Sequence, residues 1–240
     1  MLKKVTAVLL AIGIGLLVLT ACGGSQYGAG GEGETRATEV AGPATAAELP
    51  VIEGARTFKV VPAESRASYI VREEFFAGAL SRLNINPGKT ETVGSTREVA
   101  GSLQLKLDGP EPAIAGQFTV NLRSLTSDQE RRDRRIRTND LQSDTYPIAE
   151  LRTQAVEGAP TNYNEGDEAS FKLHGDLTIR EITRPATFDV TATLEGDTIA
   201  GVATTTMRMT DFGFNPPAFA NILSVEDEFT VRLEFTLRES

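Results

Sequence analysis

The sequence predicts an all-β fold of antiparallel strands, arranged as a barrel or a two-sheet sandwich. From Thr57 onward, apolar and polar residues alternate with a period of two in many short segments, as they do in half-buried strands. Gly, Pro and Asp residues separate these segments and provide turns. Helical patterns do not alternate with the strands, so a parallel sheet with crossover helices is not expected. A barrel of about eight strands leaves room inside for one small ligand.

Each expected strand has one apolar face. In VAGSLQLKLDG, for example, Leu103, Leu105 and Leu107 share a face, because side chains two residues apart point the same way in a strand. The stretch that begins EFFAGALSRLN at Glu74 is instead expected to form a long loop with apolar residues of its own. The expected strands span residues 57–61, 67–73, 99–109, 113–125, 170–180, a hairpin within 185–207, and 229–240.

One segment, from Ser124 to Gln142, does not alternate and predicts a short helix in a connection. Thr126 or Ser127 is the expected N-cap, because a hydroxyl there accepts hydrogen bonds from free backbone N–H groups. Five arginines fall between residues 130 and 137. This basic helix is either a solvated face with local ion pairs or a site for an anionic lipid headgroup. On the second interpretation the candidate headgroup residues are Arg131, Arg134 and Arg135.

The composition excludes several classes of protein. A chain with a net charge of −9 does not suit nucleic acid, whose partners present basic faces. One cysteine and one histidine, His174, exclude an intrachain disulfide and the usual zinc sites. The sequence contains neither a nucleophile elbow nor a phosphate-binding loop. We therefore expect no metal, no cofactor and no catalytic residue, with His174 on the outer surface.

The N-terminal residues resemble the signal peptide of a bacterial lipoprotein. Lys3 and Lys4 precede the apolar run Val5–Leu19, which is short for a membrane span of about 20 residues. The run ends in LTAC, which is similar to the lipobox, and its cysteine is Cys22. The resemblance implies cleavage before Cys22, its acylation, and an extracytoplasmic protein anchored to the cell membrane or outer membrane, in the periplasm or at the cell surface. An uncleaved anchor helix is the alternative.

The chain is thus expected to have three parts. Residues 1–21 form the lipoprotein signal peptide, and residues 22–55 form a disordered tether that is rich in Gly, Ala, Thr and Glu. Residues 56–240 form the β domain. With the signal removed, lipid on Cys22 would hold this domain at a membrane surface.

Three motifs on this strand background resemble the YceI-like family. The first, RDRRIRTNDLQSDTYP, starts at Arg132; the second, HGDLTIREITRPATFDV, starts at His174; the third, TDFGF, starts at Thr210. Their order and spacing agree over roughly the whole β domain. The resemblance implies a lipocalin-like antiparallel barrel with one short helix in a connection. It also implies an elongated apolar pocket for a polyisoprenoid chain, such as an isoprenoid quinone or a polyprenyl lipid, and no catalytic activity.

The sequence departs from the family pattern at four glutamates. Glu64, Glu73 and Glu74 lie in the stretches where the family usually carries histidines, and Glu181 stands where Gly is usual. Any role of those histidines is therefore absent from this chain.

The inward strand faces and the phenylalanines of two irregular stretches are the candidate walls and mouth of a lipid pocket. Apolar burial of a long chain at such walls gives affinity with little headgroup specificity. A barrel filled by its own side chains is the alternative, and it would make the chain a structural or protein-interaction lipoprotein. A homodimer is a further partner that the sequence leaves open. The candidate ligand-binding residues are Phe75, Phe76, Leu103, Leu105, Phe118, Val120, Phe171, Leu173, Phe188, Val190, Phe212, Phe214, Phe219, Leu233 and Phe235.

Overall fold

The structure is a computed structural model that describes residues 50–76, 88–107, 112–160, 162–219 and 222–240. One helix, α1 (Glu130–Arg135), continues as a π-helical turn over Ile136–Asp140. The strands are β1 (Arg56–Val60), β2 (Arg66–Phe75), β3 (Gly88–Thr96), β4 (Val99–Lys106), β5 (Ala113–Asn121), β6 (Ile148–Glu157), β7 (Glu168–Ile179), β8 (Ile182–Glu195), β9 (Thr198–Arg208), β10 (Ala218–Phe219) and β11 (Leu223–Glu239).

The strands close into an antiparallel barrel. Hydrogen-bonded neighbours run β1-β4-β5-β6-β7-β8-β9-β11, and β11 pairs again with β1, so eight strands form the ring. Phe58 shows the closure, because it is opposite Leu103 on one side and Glu239 on the other. The predicted all-β barrel of about eight strands with one short helix in a connection is confirmed.

The length of β11 gives the barrel a second feature. Its last residues pair with β1, while Leu223–Glu234 pair with β2, which in turn pairs with β3. The two strands β2 and β3 therefore extend the sheet beyond the closed ring.

Strand β3 lies where the sequence predicted part of a long loop. It pairs with β2 from Ala67 opposite Thr96 to Phe75 opposite Gly88. The prediction was wrong here because the inward positions carry Thr92 and Thr96, which are buried but do not give apolar alternation. Threonine is β-branched and favours strands even though it is polar.

The helix begins at Glu130, two or three residues later than the predicted N-cap, Thr126 or Ser127, implies. Residues Leu122–Ser124 form a 3-10 turn, and Thr126 exchanges backbone hydrogen bonds of 2.9 and 3.0 Å with Ser95. Ser127 does not cap the helix; its hydroxyl donates to Asp133 Oδ1 at 2.7 Å. Tertiary pairing with β3 thus replaces the first predicted residues of the helix.

The residues just before β1 are held against β4. Gln104 accepts a hydrogen bond from the backbone N–H of Ile52 at 2.9 Å, and Lys106 Nζ donates to the carbonyl of Glu53 at 2.8 Å. The predicted signal peptide, Cys22 and most of the predicted tether lie outside the described residues. Within the part of the chain that the structure describes, no helix is both long and apolar enough to cross a bilayer.

The β7–β8 hairpin turns through two residues with positive φ. Arg180 has a φ of 52° and Glu181 a φ of 65°, between the paired residues Ile179 and Ile182. Two consecutive left-handed residues define a type I′ turn, which matches the twist of the flanking strands and favours glycine. The glutamate at this position is one of the departures from the YceI-like pattern.

Candidate functional site

A cavity of about 500 Å³ lies between strands of the barrel ring, the added strand β2 and the helix α1. Its walls come from β2, β5, β6 and β11, and α1 contributes further side chains. Val71, Leu151 and Phe229 are among its buried apolar residues. This volume lies within the range of about 300–1,000 Å³ that is typical of small-molecule sites.

A smaller cavity of about 130 Å³ lies next to the first. Its walls include Leu103 of β4, Phe171 of β7 and Val190 of β8. The side chains that belong to both cavities, and therefore lie between them, are Phe118, Leu151, Phe188 and Leu233. Two apolar cavities thus adjoin across a partition of these four side chains.

Twelve of the candidate ligand-binding residues lie in these walls. Phe75, Val120 and Phe214 line the larger cavity only. Three residues, Phe118, Phe188 and Leu233, line both. Those that line the smaller cavity only are Leu103, Leu105, Phe171, Leu173, Val190 and Phe235.

The other candidates are placed differently. Phe212 is fully buried and packs edge-to-face on Phe229, with ring centroids 6.2 Å apart, so it belongs to the packed core rather than to a mouth. Phe76 is exposed, lies outside both walls, and donates its backbone N–H to Ile222 at 2.9 Å. The side chain of Phe219 lies outside the described residues.

The three candidate headgroup arginines do not act as one group. Arg131 and Arg135 line the larger cavity, whereas Arg134 is absent from its wall and pairs with Glu130 at 3.3 Å. The Nε atom of Arg135 lies 3.2 Å from Asp140 Oδ2. Burial raises the pKa of the Asp140 carboxyl, and the nearby Arg135 opposes this shift.

The sequence does not single out the most buried ion pair of the cavity wall. Arg132 Nη2 lies 3.2 Å from Glu73 Oε2, and the side chains are 18% and 4% exposed. Arg132 also pairs with Asp128 and donates to Ser127. Alternation in β2 places Glu73 on the same inward face as Val71. A carboxylate on an inward face needs a partner of opposite charge, so this pattern in the sequence could have indicated the ion pair.

Tyr69 of β2 is fitted to a glycine on the neighbouring strand. A Cβ atom at Gly94 would lie 2.2 Å from the Tyr69 ring, so the ring occupies the space that a side chain on β3 would need. The Tyr69 hydroxyl is buried and has no hydrogen-bond partner among the described residues. Burial raises the pKa of this hydroxyl.

His174 lies on the outer face of β7. Its Nε2 is 2.9 Å from Glu157 and its Nδ1 is 3.0 Å from the Thr187 hydroxyl. Within the described ranges, no group of three or more His, Cys, Asp or Glu residues is arranged to hold a metal ion.

Comparisons with known proteins agree with this architecture. Residues 58–237 match the model of a protein family described as the YceI-like domain. A UPF0312 protein of Pseudomonas putida is 32% identical over 133 residues, which is 52% of this chain and 64% of that protein. The chain therefore matches less than two thirds of the length of that relative.

Two solved structures share the fold. The crystal structure of BcnA from Burkholderia cenocepacia is 20% identical, with a TM-score of 0.54, over 74% of this chain and 98% of BcnA. A domain from Saccharophagus degradans, described as polyisoprenoid-binding and implicated in plant cell wall breakdown, is 10% identical with a TM-score of 0.55. That alignment covers 76% of this chain and 98% of the domain.

Proposed function

Because the chain belongs to the YceI-like family, we propose that it is a non-enzymatic protein that binds, carries or sequesters an isoprenoid lipid. The ligand is an isoprenoid quinone, a polyprenyl lipid or a similar amphipathic molecule. The observation that carries this proposal is the apolar cavity of about 500 Å³ between the barrel strands and α1.

Physical chemistry supports a long apolar ligand in this cavity. Burial of apolar surface contributes about 25 cal/mol per Å², and the walls offer apolar side chains such as Val71, Val231 and Phe229. The name of the Saccharophagus degradans domain, which has the same fold, points to the same ligand class.

Charged wall residues of the larger cavity are balanced in number. Arg131, Arg132 and Arg135 face three acidic residues, Glu73, Asp140 and Glu150. Arg131 is exposed and has no ion-pair partner among the described residues. It is therefore the best-placed cation for an anionic headgroup, and the remaining wall favours an uncharged chain.

Membrane attachment through acylated Cys22 completes the proposal. A tethered pocket has a high effective concentration at the bilayer in which isoprenoid lipids reside. Mass spectrometry of the N-terminal peptide of the mature native protein tests this step. We expect a lipid-modified Cys22, and a free thiol on Cys22 would contradict it.

Thermal unfolding of the full-length protein tests lipid binding. A ligand that binds only the folded state raises Tm, so added solanesol or ubiquinone should raise it. In Ala149→Leu a larger side chain projects from the wall into the larger cavity. This substitution should abolish the increase in Tm. Ala155→Leu, on the exposed face of the same strand, is the matched control and should keep it.

The rival function is a structural or protein-interaction lipoprotein with a filled barrel. It requires a core without room for a ligand, and the larger cavity favours binding instead. The same melting experiment separates the two, because a filled barrel predicts no increase of Tm with either lipid in any variant.

A further inference from the structure

We infer that Phe118 and Phe188 form an aromatic gate inside the barrel that sets the chain length of the preferred ligand. This inference rests on the proposed function and names a determinant of its specificity. Both rings belong to the walls of both cavities and are buried, at 9% and 2% exposure. Leu151 and Leu233 complete the partition between the two cavities.

Two of the partition side chains lie against glycines on neighbouring strands. A Cβ atom at Gly101 would lie 2.8 Å from Phe118 Cδ1, and one at Gly175 would lie 3.0 Å from Leu151 Cδ1. The registers place Gly101 opposite Phe118 and Leu177, two residues after Gly175, opposite Leu151. A side chain at Gly101 or Gly175 would therefore collide with the Gln117 or Arg152 carbonyl of the neighbouring strand, as well as with the Phe118 ring or the Leu151 side chain.

The two cavities differ in size, so the gate divides possible ligands into two classes. A prenyl chain that fits within the space of about 500 Å³ gains its apolar burial without moving the gate. A longer chain must displace the rings to reach the space of about 130 Å³ beyond them. Displacing close-packed core side chains is costly, so the gain per added isoprene unit falls once the larger cavity is full.

Farnesol, geranylgeraniol and solanesol form a suitable series of uncharged ligands with increasing chain length. Their affinities for the full-length protein in lipid nanodiscs are measured by displacement of the fluorescent fatty acid cis-parinaric acid. Partition of each polyprenol into lipid cancels when the affinity of a variant is divided by that of the wild type. The gate variants are Phe188→Leu and, if that protein unfolds, Phe118→Leu. Phe214→Leu is the matched control, because this ring lines the larger cavity only.

The gate predicts that Phe188→Leu and Phe118→Leu raise the ratio of solanesol affinity to farnesol affinity by roughly tenfold. Phe214→Leu should change the affinities for all three ligands by a common factor, because every chain occupies the larger cavity. An equal change for all chain lengths in the gate variants would overturn the gate while leaving lipid binding intact. Absence of binding for every polyprenol in every protein would overturn the proposed function and the gate together.

Discussion

Arg132 of α1 and Glu73 of β2 form an ion pair that joins the helix to the barrel in the wall of the larger cavity, with Nη2 and Oε2 3.2 Å apart. The two residues are 59 positions apart in the chain. Separating the partners of a buried ion pair leaves each charge uncompensated, which strongly destabilises the fold. The pair therefore fixes the position of the helix over the strands.

Removal of Arg132 should cost more stability than removal of the charge on Glu73. Arg132→Met leaves a carboxylate that is 4% exposed without its ion-pair partner, and we expect a loss of about 3 kcal/mol in the free energy of unfolding. Glu73→Gln should cost about 1 kcal/mol, because Arg132 keeps its pair with Asp128. Urea denaturation of both single variants and the double variant measures the coupling. If the double variant loses the sum of the two single losses, the pair is not coupled and this account of the helix is wrong.

Arg131 should govern binding of anionic ligands only. Arg131→Gln should weaken binding of a polyprenyl phosphate by roughly tenfold and leave binding of the matching polyprenol unchanged, because only the phosphate carries charge. Arg134→Gln on the same helix is the control, since its side chain pairs with Glu130 outside the cavity wall. Competition binding measures both ligands. Equal weakening of both lipids by Arg131→Gln would contradict a headgroup role.

Asp140 should give the stability of the barrel an unusual pH dependence. Burial raises its pKa in the folded state above the ordinary value of 3.8, so the folded state binds the proton more tightly than the unfolded state does. The wild type should therefore lose stability relative to Asp140→Asn as the pH rises from 3.8 through the folded-state pKa. Denaturation curves at a series of pH values test this.

Glu239 provides a control of opposite sign. A hydrogen bond from Arg56 lowers the pKa of its carboxyl below 4.5. Its contribution to stability is present above 4.5 and is lost as the pH falls through the folded-state value. The wild type should thus gain stability relative to Glu239→Gln as the pH rises. Slopes of the same sign for both variants would contradict the assignment at Asp140.

Glu181→Gly should stabilise the protein. The residue has a φ of 65°, and the left-handed conformation costs a residue with a Cβ atom about 1 kcal/mol. We expect a gain of that size in urea denaturation. Glu168→Gly, at the first position of a strand, is the control and should lose about 0.5 kcal/mol because glycine weakens strands. A loss at Glu181→Gly would show that the turn does not strain this residue.

Local pattern was sufficient to predict most of the barrel. Leu103 and Phe118 were expected on inward faces because alternation sets the face of a strand residue, and both lie in cavity walls. Strand β3 was missed because Thr92 and Thr96 fill its inward positions, and the sequence pattern treats threonine as polar. The late start of the helix depends on the backbone pairing of Thr126 with Ser95, which local sequence does not contain.

The arrangement of the site also depends on tertiary contacts that local sequence does not contain. Arg132 and Glu73 each stand out as charged residues, but their pairing depends on the closure of a barrel between distant segments. The distinction between Phe212, which packs in the core, and Phe214, which lines the larger cavity, depends on the 3-10 turn Met209–Phe212 that precedes Gly213. The partition at Phe118 depends on strand register, which places Gly101 opposite its ring.

Extraction of the native protein tests the proposed lipid function most directly. The wild type and Ala149→Leu are purified from the source organism under identical conditions, and organic extracts of both are analysed by mass spectrometry. We predict about one isoprenoid lipid per wild-type chain, as a barrel of this size allows, and its loss in Ala149→Leu. Repeated wild-type preparations without an isoprenoid lipid, or equal amounts in both proteins, would contradict the proposal that the cavity binds such a lipid.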